Sequence, residues 1–100
     1  MIEVRQTDLF AEWLRKLRDE QARARIQIRI RRVSLGNFAD IKSVGEGISE
    51  LRVDYGPGYR VYLLQRGTLL VILLAGGTKK TQQTDIIKAK VLAREWFDGD

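Results

Sequence analysis

The chain predicts an α+β domain in which a helical hairpin packs on a small, mostly antiparallel sheet, in the order β-α-α-β-β-β-α. Three features carry this. Apolar residues recur at helical spacing through residues 8–35. Three alternating or wholly apolar runs, divided by glycine turns, occupy residues 48–75. A last helical pattern fills residues 83–97. At 100 residues the chain has the length of a single domain, residues 1–100, and can bury a modest core without staples.

Residues 1–6 alternate weakly, Ile2 and Val4 against Glu3 and Arg5, and read as a short strand. Thr7 or Asp8 suits the N-cap of a helix over residues 8–18, whose Leu9, Phe10, Trp13, Leu14 and Leu17 form one apolar face. Residues 19–35 carry two patterns. Ile26, Ile28 and Ile30 alternate as in a strand, whereas Ala22, Ile26, Ile30 and Val33 share a helical face. Length, Ala and Arg content and the lack of Gly and Pro favour the helix, capped by Asp19 and ended by Gly36-Asn37. Two helices this close must fold back as a hairpin.

Residues 36–47 read as loop. Three strands follow: 48–55, 59–65 after the Gly56-Pro57-Gly58 turn, and 69–75 after Gly67-Thr68, with Gly76-Gly77 ending the last. The run 69–75 is continuously apolar, which predicts a central strand covered on both faces. A three-residue turn pairing Tyr55 with Tyr59 sets Asp54 opposite Arg60, Val53 opposite Val61, Arg52 opposite Tyr62 and Leu51 opposite Leu63. An even loop would mix apolar with charged partners, because a one-residue slip reverses every side chain. Glu50, Arg52, Arg60 and Tyr62 then share the face away from the helical hairpin, where a polar site can lie.

Composition narrows the chemistry. With no Cys there are no disulfides, thiolate metal sites or Cys nucleophiles, and with no His there are no imidazole acid–base pairs. No metal site and no cofactor are expected. Lys plus Arg number 18 against 13 for Asp plus Glu, a net charge of +5 that suits a polyanion or acidic partner. The opening residues show no apolar signal segment, and the seven-residue run 69–75 is far short of a membrane span, so a cytoplasmic protein without a membrane partner is expected.

Several motifs occur together. They are Trp13-Leu14-Arg15 with Leu17-Arg18-Asp19, then Ala22-Arg23-Ala24-Arg25-Ile26, then Glu50-Leu51-Arg52-Val53. Tyr55-Gly56-Pro57-Gly58-Tyr59-Arg60-Val61-Tyr62 follows, and then Gly76-Gly77, Lys79, Thr81-Gln82, Asp85-Ile86 and Lys88-Ala89. In this combination the chain resembles RelE/ParE toxins of bacterial type II toxin–antitoxin modules, specifically the phage-derived, addiction-module killer (HigB-like) branch. Where that branch usually has Asp-Lys-Ser after the double glycine, this chain has Thr78-Lys79-Lys80. The resemblance implies a RelE-like fold and a cytoplasmic endoribonuclease that cleaves mRNA, commonly on the translating ribosome. It also implies neutralisation by a cognate antitoxin, expected to be a helix-turn-helix DNA-binding protein. The ParE side of the superfamily instead inhibits DNA gyrase without nuclease activity, and that is the alternative.

Cleavage of RNA through its own 2′-hydroxyl needs a base, an acid and cations around the phosphate. Arg60 is the first candidate, planar and permanently charged, at a position the resemblance also marks; the plain alternative is an ion pair with Asp54 across the hairpin. Arg52 lies on the same face, either as a phosphate ligand or stacked on Tyr62. Lys79 offers a base if neutral and a clamp or acid if charged; Lys80 extends the positive charge, and both can equally be surface lysines. Glu50 is a candidate base or a solvated carboxylate. Gln82 and Gln83 stand at the start of the last helix, a place that can bind phosphate, while Thr81 or Thr84 can simply cap it. Tyr62 is the candidate for base stacking, and Tyr55 and Tyr59 are expected to pack. Arg23, Arg25 and Arg29 belong to an arginine-rich stretch that either tracks RNA or forms a solvated helix face.

Overall fold

A computed structural model describes residues 1–99, with side chains to Trp96. The elements are β1 (Glu3–Gln6), α1 (Asp8–Lys16), α2 (Glu20–Ser34), β2 (Ile41–Gly45), β3 (Ile48–Val53), β4 (Tyr59–Arg66), β5 (Leu70–Thr78) and α3 (Gln82–Gly99). A 3-10 turn, Lys79–Thr81, joins the last two. The strands form one sheet in the order β1-β5-β4-β3-β2, antiparallel except for the parallel β1–β5 pair.

Both predicted caps form. The Thr7 hydroxyl accepts from Phe10 N and donates to Leu74 O at 2.6 Å, fixing the start of α1 to β5. The Asp19 carboxylate accepts from the backbone N–H of Gln21 and Ala22. With both first turns satisfied, two helices can meet across three residues (17–19).

Two cores result. Phe10, Ala22, Ile26 and Val33 of the helical hairpin bury against Leu51, Val53, Tyr59, Val61, Leu63, Val71 and Leu73. On the other face α3 covers Ile48, Tyr62, Leu64, Ile72, Leu74 and Ala75. β5 is thus buried on both sides, as its unbroken apolar run predicts. Residues 71–75 are all at most 2% exposed.

Three local expectations are corrected. The predicted loop 36–47 contains β2, an edge strand antiparallel to β3 with a bulge between Ser43 and Gly45. Ile41 joins the hairpin-side core and Val44 the α3-side core, so a short polar segment is held by one anchor on each face. The β3–β4 register pairs Arg52 with Arg60, Leu51 with Val61 and Glu50 with Tyr62, two residues from the predicted pairing. A shift of two keeps every side chain on its predicted face. It arises because Tyr55 leaves the strand to start the turn, its carbonyl accepting from Gly58 N at 3.1 Å.

Finally, β5 runs through Gly76-Gly77 rather than ending there. The glycines serve close approach instead of termination. A Cβ on Gly76 would lie 2.2 Å from the Trp13 ring, and one on Gly77 would lie 1.8 Å from Asp85 Oδ2. The bare backbone lets α1 press on one face and α3 on the other.

Candidate functional site

The three cations singled out by sequence, Arg52, Arg60 and Lys79, line one open cavity of about 500 Å3 together with Asp40, Ile41, Lys42 and Asp54. Arg52 comes from β3 and Arg60 from the cross-strand position on β4. Lys79 is brought in by the 3-10 turn, and its N–H donates to Gly58 O at 2.8 Å, tying the end of β5 to the hairpin turn. A cleft of similar size between Gln6–Leu9 and α3 holds Asp8, Glu95 and Trp96 and no cation among its lining residues, so it does not suit a polyanion.

Beneath the cavity lies Glu50, its side chain 1% exposed. Its Oε1 accepts from Arg52 Nε at 2.9 Å and stands 3.8 Å from Arg60 Nε, and its Oε2 accepts from Gln82 Nε2 at 2.6 Å. Burial alone would raise the carboxyl's pKa. The hydrogen bonds from Arg52 and Gln82 and the nearby charges of Arg52 and Arg60 outweigh it and hold the group below the usual carboxylate range. A buried, acidic carboxylate with both oxygens engaged orients cations and is a poor proton acceptor. The structure therefore corrects the picture of Glu50 as an open, solvated group.

Arg60 is held close to the protein. Its side chain is 9% exposed, and Nη1 donates to Tyr59 O at 3.4 Å. Its ion partner among the described residues is Glu50, not Asp54. Arg52, with a side chain 46% exposed, reaches further into solvent.

The other sequence candidates do not line the cavity. Tyr62 is fully buried under α3, so it presents no ring to solvent. Its hydroxyl lies beside Glu50 without a partner of acceptable hydrogen-bond geometry, and burial together with the Glu50 charge raises its pKa well above that of a free phenol. Gln82 faces inward to Glu50, while Lys80 and Gln83 are exposed and outside the cavity's lining. The α2 arginines are on the hairpin side of the sheet and make intramolecular contacts. Arg23 donates to Leu17 O. Arg25 stacks over Tyr55 with its guanidinium carbon 4.5 Å from the ring centroid. Arg29 donates to Arg52 O at 3.1 Å and Ala39 O at 2.6 Å.

Asp40 and Lys42 line the cavity without being predicted there, and Asp54, expected across the hairpin from Arg60, lines it too. The loop expected over residues 36–47 hides Asp40 and Lys42, because it contains β2 and the turn that leads into it. The signal was present as Ile41 and Val44 before the Gly45-Glu46-Gly47 turn, a hairpin pattern ahead of β3.

The model of the phage-derived Gp49-like protein family matches residues 12–96. The chain belongs to that family. Over 94 residues the chain is 54% identical to an uncharacterized protein of Haemophilus influenzae, covering 94% of this chain and 95% of the relative. Two Escherichia coli structures share the fold. A chain of the intact RelBE toxin–antitoxin complex superposes with a TM-score of 0.66 at 14% identity, over 78% of this chain and 96% of that one. A mutant RelE toxin in the free state gives 0.67 at 14% identity, over 87% and 95%. This Gp49-like protein therefore has a RelE-like fold. No helix among its described residues is long and apolar enough to cross a membrane.

Proposed function

We propose that this protein is the toxin of a type II toxin–antitoxin module and cleaves mRNA on the ribosome as a metal-independent endoribonuclease. The observation that carries the reading is the cavity in which Arg52, Arg60 and Lys79 converge above a buried carboxylate. Two guanidiniums and an ammonium in a recessed site match the charge that builds on a pentavalent phosphate.

The 2′-hydroxyl of the substrate attacks the adjacent phosphorus, and the bond to the 5′-oxygen breaks. The products are a 2′,3′-cyclic phosphate and a 5′-hydroxyl. Because the nucleophile belongs to the substrate, alignment and charge stabilisation supply much of the acceleration. Arg60, fixed by its burial, grips a non-bridging oxygen. Arg52 reaches the same phosphate from across the hairpin. In this reading Lys79 delivers a proton to the 5′-oxygen and Asp54 accepts one from the 2′-hydroxyl, supported by the lining of the cavity by both. Lys80 and Gln83, both exposed, extend the RNA contact.

The partner that fits is a cognate antitoxin, a helix-turn-helix DNA-binding protein with an acidic segment laid over the cavity. Support comes from the net charge of +5 and from the fold shared with a chain of a toxin–antitoxin complex. Cytoplasmic action follows from an mRNA substrate.

The test is induced expression of wild type and Arg60→Ala, with cut sites in cellular mRNA mapped by primer extension. Wild type is expected to cut within translated codons, and the variant to lose at least about 100-fold of that cleavage. Intact messages together with growth arrest and broken DNA would refute the nuclease and point to gyrase.

A further inference from the structure

The contacts around Glu50 are unequal. Oε2 is held by Gln82 at 2.6 Å, and Oε1 by Arg52 at 2.9 Å. Arg60 Nε, 3.8 Å from that same Oε1, is buried and has no hydrogen-bond partner. A buried guanidinium donor left unpaired destabilises the free protein, and the acceptor in front of it, held by Arg52, stands at 3.8 Å, beyond hydrogen-bond reach. The two arginines also differ in freedom. Arg52 has a side chain 46% exposed and can turn to a ligand entering the cavity, whereas Arg60, at 9%, cannot swing away.

We infer that Gln82 is a positioning residue: it pins Glu50 so that Oε1 is released by Arg52 and taken by Arg60 Nε when a phosphodiester in the cavity draws the Arg52 guanidinium onto itself. The hydrogen bond missing in the free protein then forms only in the complex. Arg60 is locked against β3 at the moment its terminal nitrogens are needed on the phosphate. Part of the strength of substrate contact is thereby drawn from relief of an unsatisfied group rather than from a new surface. The first residue of α3 becomes part of the site's mechanics, a role different from that of an RNA ligand. The phosphodiester as trigger rests on the nuclease reading, but the pinning of Glu50 does not.

The experiment follows the arginine Nε–H signals of the 15N-labelled full-length protein by NMR, free and with an RNA oligonucleotide 2′-O-methylated throughout, so that it cannot be cut. In wild type, Arg52 Nε–H is expected to be protected in the free state. On RNA addition the Arg60 Nε–H signal should move downfield as it gains the carboxylate. In Gln82→Met, which keeps the size and removes the donor, Arg52 protection and the Arg60 shift should both be lost, and RNA affinity should fall about tenfold. Gln82→Lys restores a donor and should recover the Arg60 response.

Unchanged Nε–H signals in Gln82→Met would overturn the pinning. RNA binding to wild type without an Arg60 shift would overturn the transfer of the oxygen, as would failure to bind RNA at all. If the shift occurs but the unmodified RNA is never cleaved, with or without ribosomes, the transfer stands and the nuclease reading fails.

Discussion

Arg52 and Arg60 stand directly opposite each other on β3 and β4, two like charges at one cross-strand position. Such a pair weakens a sheet by a few tenths to about 1 kcal/mol, and a single carboxylate, Glu50, sits between them to offset it. On the opposite face the adjoining positions are an ordinary apolar pair, Leu51 against Val61. A local conflict of this kind, embedded in a sheet that is otherwise consistent with its core, is what a functional site produces, in line with the proposed phosphate contact.

Glu50→Gln should therefore be destabilising, and the loss should depend on pH. The folded carboxyl is more acidic than in the unfolded chain, where its pKa is about 4.3. The folded state binds fewer protons there, so the ion pair's contribution is fully present above that value and is lost as pH falls through the folded pKa. At pH 7 the variant should unfold at a clearly lower temperature, and the gap to wild type should narrow as the pH is taken below about 4. Thermal unfolding followed by circular dichroism between pH 2 and 8 checks this, and a gap that stays constant would rule it out.

Gly77→Ala tests the close approach of α3. The added methyl would overlap Asp85 Oδ2, which also accepts from Thr81 Oγ1 at 2.5 Å. The expected loss is roughly 1–3 kcal/mol. That is a fall in midpoint of about 4–8 °C for each kcal/mol in a domain of this size. Removing the obstructing group as well, in Gly77→Ala with Asp85→Ala, should recover part of it. An unaltered midpoint for the single variant would show that α3 shifts freely.

Tyr62→Phe removes a buried hydroxyl that has no hydrogen-bond partner. Deleting such a group is neutral or mildly stabilising, so the midpoint should hold or rise by a few degrees. RNA affinity measured by fluorescence anisotropy should stay within about twofold, because the ring is enclosed by α3. A marked fall in stability would mean that the hydroxyl bonds Glu50 in solution.

Arg29→Ala separates structure from RNA contact on α2. Arg29 ties the helix to Arg52 O and Ala39 O and pairs with Asp40 at 3.5 Å, with its side chain only 15% exposed. Its loss should lower stability by about 1–3 kcal/mol. The slope of RNA affinity against salt should stay as in wild type, since no phosphate contact is removed. A slope reduced by about one unit in a folded variant would place a phosphate on Arg29.

Much of the architecture was legible because it follows from short-range rules. The spacing of Phe10, Trp13 and Leu17 and the alternation of Leu51 with Arg52 are settled by backbone geometry within a few residues. Thr7 and Asp19 are caps for the same reason. Side-chain parity also put Arg52 and Arg60 on one face before their register was known, and it survived an error of two positions because the strand repeat is two.

What sequence reading left open depends on segments that meet only after folding. β2 is a strand because β3 offers it a free edge and two separate cores each take one of its apolar residues. Glu50 and Tyr62 are buried because α3, more than thirty residues after Glu50, lies across them. Gln82 turns inward because that burial brings an acceptor within 2.6 Å. Periodicity states which face a side chain takes, since that is a property of its own backbone. Whether the face meets water, a helix or an opposing charge is a property of distant neighbours, and only the packed chain brings them together.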